Sequence, residues 1–143
     1  MDRRRFIRSS LSAAVAASLP VSNALAQMLV HKPTQVPSDI DAITGDGSEI
    51  TLAKAAVQEL SDSLKGKLVL PGSPAYDEAR MLLSAAYDKY PALVVQPTGA
   101  ADVQRAVEFA RENSLLLAVN CGGYAAAGTS SCDKRVQLDL SRM

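Results

Sequence analysis

The chain has 143 residues, 48% apolar and 21% charged, enough for one domain at most and too apolar for wholesale disorder. Basic and acidic residues number 15 each, yet outside residues 1–26 there are 11 basic and 14 acidic, a mildly acidic body that argues against nucleic-acid binding. Two cysteines are too few for a disulfide scaffold or a four-ligand zinc site, and one histidine leaves no Ser–His–Asp hydrolase and little other histidine chemistry.

The amino terminus reads as an export signal. Arg3, Arg4, Arg5, Phe6, Ile7 and Arg8 resemble the bacterial twin-arginine motif, although Asp2 stands where Ser or Thr usually opens it. An Ala- and Ser-rich apolar stretch over residues 11–21 follows, too short to span a bilayer. Ala24-Leu25-Ala26 then offers a small-x-small cleavage site before Gln27. A twin-arginine signal over residues 1–26 implies a periplasmic or secreted protein, carried across the membrane already folded.

Residues 27–49 read as a linker without packed structure, because of their prolines and the polar run Thr44-Gly45-Asp46-Gly47-Ser48. His31 lies in it and has no visible partner, so it reads as a solvated residue. Residues 50–64 place Leu52, Ala53, Ala56, Val57, Leu60 and Leu64 on one helical stripe, with Asp46 or Ser48 as cap and Gly66 after the end. Leu68-Val69-Leu70 is a strand stopped by Pro71-Gly72. Ser73-Pro74 restarts the chain, and a helix is expected over residues 79–87. Leu93-Val94-Val95 is a second strand between Pro91 and Pro97.

Thr98 is placed to cap a further helix, with Asp102 in its first turn and Val103, Ala106, Val107 and Ala110 as its buried stripe. Asn113 is a left-handed stop in this reading. The apolar run over residues 115–119 predicts a strand covered on both faces. Val136, Leu138 and Leu140 alternate with polar residues, which predicts a last strand with one buried face. The order of elements predicts an α/β or α+β body containing a βαβ unit.

The chemistry points to residues 120–131, Asn-Cys-Gly-Gly-Tyr-Ala-Ala-Ala-Gly-Thr-Ser-Ser. Small residues let a ligand approach the backbone, and successive N–H groups can converge on an anion such as a diphosphate. Asn120, Cys121, Gly122, Gly123, Tyr124, Ala125, Gly128, Thr129 and Ser130 are the candidate cofactor-binding residues. The glycine offsets match neither G-x-G-x-x-G nor a Walker loop, and a flexible turn that binds nothing is the other reading of the segment.

Val119, Gly122, Gly123, Gly128, Ser130, Leu138, Asp139, Leu140, Ser141 and Met143 resemble the V-R-x-G-G-H … G-x-S … I-D-L-S-x-M pattern of the FAD-linked oxidases. These are the vanillyl-alcohol oxidase/p-cresol methylhydroxylase flavoproteins, in particular the berberine-bridge-enzyme-like group. Upstream, Pro71-Gly72, Tyr76 to Arg80, Pro91 to Val95 and the stretch from Asp102 to Arg111 are similar to further elements of that family, so the resemblance covers about residues 60–143. It implies an α+β fold, the first subdomain of a PCMH-type FAD-binding domain, over residues 50–143. It implies FAD as cofactor and flavin-dependent oxidation of an alcohol, sugar or related small molecule. Tyr124 stands where many relatives carry a flavin-attaching histidine, so FAD is expected to be non-covalent there. Asn120 replaces the family's arginine and brings no charge.

Cys121 and Cys132 match no flavin attachment and read as a buried thiol or a structural disulfide. Family members are several times longer, so the chain is expected to be an amino-terminal piece. It would hold only part of FAD, turn over no substrate by itself, and be completed by further sequence or a partner chain. The alternative is an exported non-catalytic binding or interaction module derived from a flavoprotein subdomain.

Overall fold

The computed structural model describes residues 32–143. The export segment, the start of the expected linker and His31 lie outside the described residues. No helix among the described residues is long and apolar enough to cross a membrane.

The expected linker over 27–49 is, in its described part, packed structure. Ile40–Ile43 (β1) and Glu49–Leu52 (β2) form an antiparallel hairpin, Ile40 opposite Leu52 and Ile43 opposite Glu49. The polar run is its turn. The Thr44 N–H donates to the Ser48 carbonyl at 2.9 Å, the Thr44 hydroxyl donates to the Asp46 carboxylate, and Gly47 takes φ +92°. Val36, Ala42 and Leu52 are buried in the main core. Thr34 and Val36 are strapped down by donating to the Leu68 carbonyl at 2.6 Å and to Gln58 Oε1 at 2.9 Å.

The first helix (α1) is shorter than expected and spans Lys54–Ser63. Leu52 faces the core from β2 rather than from a helix, so the expected helical stripe began too early. Neither Asp46 nor Ser48 caps α1. Asp39 does so from a distance in sequence, accepting the Lys54 N–H at 2.7 Å.

Lys67–Val69 (β3), Leu93–Gln96 (β4), Leu117–Asn120 (β5) and Val136–Asp139 (β6) form one sheet in the order β3-β4-β6-β5. β3 runs antiparallel to β4, whereas β4, β6 and β5 are parallel. Between β3 and β4 lies the short helix α2, Tyr76–Arg80, and helix α3, Ala100–Glu112, connects β4 to β5 in the expected parallel crossover. β6 lies between the two strands it joins.

Alternation assigns the faces. Leu68, Leu93, Val95, Val136 and Leu138 share the main core with Val57, Leu60 and Leu64 and with Ala106, Phe109 and Ala110. Val69 and Val94 point the other way and meet Tyr76 and Ala79 of α2. The expected helix over 79–87 therefore ends at Arg80, and Met81 is already extended.

The last two strands exchange their expected places. The apolar run forms an edge strand, with Leu116 52% and Val119 49% exposed. The alternating strand is the interior one, and all four of its residues are buried. Its polar positions are paired inside: Gln137 donates to the Ala79 carbonyl at 2.8 Å, and Asp139 accepts from Gln96 at 2.9 Å.

α3 also departs in detail. Gly99, not Thr98, is its cap residue, and Val107 is exposed while Phe109 is buried. Asp102 turns inward and accepts from Lys65, Gly66 and Thr98. Asn113 has φ −97°, and Ser114 at φ +54° makes the left-handed stop.

Candidate functional site

The parallel strands β4, β6 and β5 end at Gln96, Asp139 and Asn120. Ligands of α/β sheets bind beyond such carboxyl ends, because the connecting loops leave there and are free to vary. The glycine-rich loop leaves from this edge. Asn120 is buried, and its Oδ1 accepts the Gly123 N–H at 2.7 Å, folding the chain back at once. The Asn120 carbonyl accepts the Leu140 N–H at 2.8 Å, which ties the loop's root to the end of β6.

Gly122, Gly123 and Gly128 take φ values of +77°, +74° and +66°, where side chains are disfavoured. Their surroundings differ. A Cβ on Gly123 would stand 3.0 Å from the Leu83 nitrogen, and one on Gly128 would stand 2.4 Å from the Tyr87 ring. These two glycines are small because the chain's own segment 82–87 packs on them. A Cβ on Gly122 would meet only the Tyr124 ring of the same loop.

The candidate residues therefore fall into two groups. Asn120, Gly123, Gly128 and Ser130 are buried and build the loop, with Ala125 half-buried beside them. Cys121, Gly122, Tyr124 and Thr129 are exposed, and Tyr124 is 76% so. The N–H groups of Gly122, Tyr124 and Thr129 donate to no acceptor among the described residues. Unpaired donors on an exposed loop of small residues are what an anion requires. Of the Asn120 amide, the oxygen is taken by the Gly123 N–H.

Sequence reasoning passed over two residues, Leu83 and Lys89. The Leu83 N–H donates to the Gly123 carbonyl at 3.2 Å. Lys89 Nζ donates to the carbonyls of Gly128 at 2.9 Å and Ser131 at 3.2 Å. Ser131 itself is buried, with a hydroxyl that finds no partner. Nothing local marks Leu83 or Lys89, because their partners lie about 40 residues away along the chain.

The cysteines are both free, so the expected alternative of a disulfide is not formed. Cys132 is the half-buried thiol of the other alternative. Burial pushes it up to about 11, which keeps it protonated and unreactive at neutral pH. Cys121 is exposed. Among the described residues no cluster of three or more His, Cys, Asp or Glu is placed to hold a metal ion.

A diphosphate fits these residues: exposed, unpaired N–H donors, an orphaned hydroxyl at Ser131 and the Lys89 ammonium close behind the loop.

No family model matches the chain. It is 27% identical over 81 residues to (R)-6-hydroxynicotine oxidase of Paenarthrobacter nicotinovorans, covering 57% of this chain and 18% of that protein. It is 35% identical over 84 residues to the uncharacterized FAD-linked oxidoreductase YvdP of Bacillus subtilis (strain 168), covering 58% of this chain and 19% of that one. Among solved structures, the BBE-like 1 protein of Physcomitrella patens aligns with a TM-score of 0.56 at 25% identity, over 61% of this chain and 19% of that one. The crystal structure of 6-hydroxy-D-nicotine oxidase from Arthrobacter nicotinovorans aligns with a TM-score of 0.54 at 26% identity, over 56% of this chain and 18% of that one. The chain spans less than a fifth of the length of the relatives it matches. Its homologues are FAD-linked oxidoreductases, the berberine-bridge-enzyme-like flavoenzymes among them, and it is related to them over rather more than half of its own length.

Proposed function

We propose that this chain holds the diphosphate end of FAD in a flavin-dependent oxidoreductase acting on an alcohol, sugar or related small molecule. The observation that carries the reading is the set of unpaired N–H groups at Gly122, Tyr124 and Thr129, on a loop leaving the carboxyl edge of the parallel strands. The N–H groups donate to phosphate oxygens. Asn120 and Leu83 hold the backbone that presents them. When bound, FAD supplies the redox chemistry, and the protein positions it. Tyr124 offers no imidazole for attachment, so the cofactor is held non-covalently at this position. The groups that enclose the flavin ring and select the substrate come from further sequence or from a partner chain. Export by the twin-arginine route, to the periplasm or beyond, belongs to the same reading.

The test is a titration of the full chain with FAD, read by quenching of flavin fluorescence. Saturable quenching that ADP reverses and riboflavin does not supports a site for the diphosphate. No saturable binding, or competition by riboflavin but not by ADP, overturns it.

A further inference from the structure

The loop over residues 120–132 contains no charged side chain, yet a diphosphate is an anion. The charge comes from outside the loop. Lys89 lies just before β4, and its ammonium reaches the carbonyls of Gly128 and Ser131 at 2.9 and 3.2 Å. It makes no ion pair among the described residues. The neighbouring Asp88 is engaged by Arg80, and Asp133 accepts the Tyr90 N–H at 2.8 Å. A half-buried ammonium with only carbonyl partners contributes positive potential at the loop.

The contacts also set direction. In a trans peptide the C=O and N–H of one unit point in opposite directions. The Gly128 carbonyl shares its unit with the Thr129 N–H, and the Ser131 carbonyl with the Cys132 N–H. Pulling both carbonyls toward Lys89 turns both N–H groups away from it. Leu83 does the same at the other end, where its hold on the Gly123 carbonyl turns the Tyr124 N–H outward. Tyr124 and Thr129 are both exposed.

We propose that Lys89 is the positioning residue of this anion site. It aims the Thr129 N–H from behind and adds positive potential to an uncharged loop. The inference rests on the diphosphate reading above. It adds that the affinity depends on a residue that need not touch the ligand.

The experiment compares the full parent chain with Lys89→Met, Lys89→Gln and Lys89→Arg. FAD affinity is measured at several salt concentrations, together with melting temperature and amide hydrogen exchange of the loop without ligand. Lys89→Met should weaken FAD binding at least about tenfold, equivalent to about 1.4 kcal/mol. It should also flatten the salt dependence, because one fixed charge is gone. Lys89→Arg keeps the charge and the two donors and should return affinity to within about threefold of the parent. Amides of residues 128–132 should exchange faster in Lys89→Met than in the parent or in Lys89→Arg.

Parent-like affinity in Lys89→Met overturns the inference, and so does a loss that Lys89→Arg does not recover. If Lys89→Met melts early, Lys89→Gln replaces it, since its amide still donates to one carbonyl but carries no charge. Parent-like affinity and salt dependence in Lys89→Gln then overturn it. A parent chain that binds no FAD overturns the diphosphate reading instead. In that case unchanged loop exchange in Lys89→Met counts against Lys89 as well.

Discussion

Replacing Asp102 by Asn should cost the fold about 3 kcal/mol, although the change removes no carbon atom. Asp102 is only 2% exposed. Its Oδ1 accepts the Lys65 N–H at 2.9 Å, and its Oδ2 accepts the N–H groups of Gly66 at 2.9 Å and Thr98 at 3.0 Å, with the Thr98 hydroxyl at 3.2 Å. An amide has one acceptor oxygen. Whichever way it is turned, its NH2 faces at least one backbone N–H that then has no partner. A buried donor left unpaired costs about 1–3 kcal/mol, and each remaining bond falls from about 1.5–3 kcal/mol with a charged acceptor toward about 1 kcal/mol. Total stabilities lie near 5–15 kcal/mol, so the loss is a large share.

The assay is urea unfolding of parent and variant, first at pH 7 and then into acid. For a chain of this size a slope of about 1–3 kcal/mol per molar converts the loss into a midpoint shift of at least about 1 M. The pH dependence has a definite sign. Burial alone raises the Asp102 carboxyl, but the donors from Thr98, Lys65 and Gly66 outweigh it and hold the group below its ordinary 3.8. A carboxylate lowered in the folded state stabilises the fold above its unfolded value, and that stability is lost as the pH falls through the folded value. The gap between parent and Asp102→Asn should be full at pH 7 and close below about pH 4. Equal midpoints at pH 7, or a gap that persists unchanged into strong acid, refute the reasoning. The bond matters to the site because the tied turns flank β4: a Cβ on Gly66 would stand 2.1 Å from the Gln96 carbonyl at the ligand edge.

Gly128→Ala should destabilise the loop by about 2 kcal/mol, because φ is +66° and the new methyl meets the Tyr87 ring at 2.4 Å. Adding Tyr87→Ala should recover only part of the loss in thermal melting, since the backbone strain stays. Any FAD carried by the chain should be released by acid or denaturant, since Tyr124 cannot form a histidyl link. Yellow colour that stays with the unfolded chain after gel filtration contradicts this. Replacing both Arg3 and Arg4 by Lys should leave precursor in the cytoplasm on fractionation, and undiminished export counts against the twin-arginine route.

β4, α3 and the glycine-rich loop were legible because local signals there agree with the final packing. Leu93-Val94-Val95 is apolar and lies in the sheet interior. The hairpin was not legible. Glu49-Ile50-Thr51-Leu52 alternates polar with apolar residues, but over four residues that signal is short beside the prolines and the Thr-Gly-Asp-Gly-Ser run, and Ala42 and Leu52 find their burial only in the main core. β5 and β6 were misplaced for a different reason. Hydrophobicity reports what a strand can bury, whereas its place in a sheet depends on partners. Gln137 and Asp139 look like solvent positions until Ala79 and Gln96 supply their hydrogen bonds. At the site, the run of small residues was visible, but its inner and outer sides were not. Gly123 and Gly128 look as ligand-ready as Gly122, yet they are covered by Leu82–Leu83 and Tyr87.

The segment after α2 shows how the site overrides local preference. Residues 79–87 are rich in Ala and Leu and would continue a helix by propensity. Such a helix would bond the Leu83 N–H to the Ala79 carbonyl. Here that carbonyl accepts from Gln137, and the Leu83 N–H goes to Gly123. The turn is held by Arg80, which pairs with Asp77 and Asp88, donates to the Lys89 carbonyl at 3.1 Å and lies 4.0 Å from the Tyr90 ring centre. The Leu83–Ala79 bond that a helix would make is thus replaced by two across the fold, which helps an irregular stretch persist against a helical tendency. The exchange also has a direction. A helix through residue 87 would satisfy the Leu83 N–H within itself and leave none for the Gly123 carbonyl. Local rules tend to fail where a site needs the chain in another shape. The break at Arg80 meets that pattern, because it frees the Leu83 N–H to hold the Gly123 end of the loop and leads the chain to Lys89, which holds the Gly128–Ser131 end.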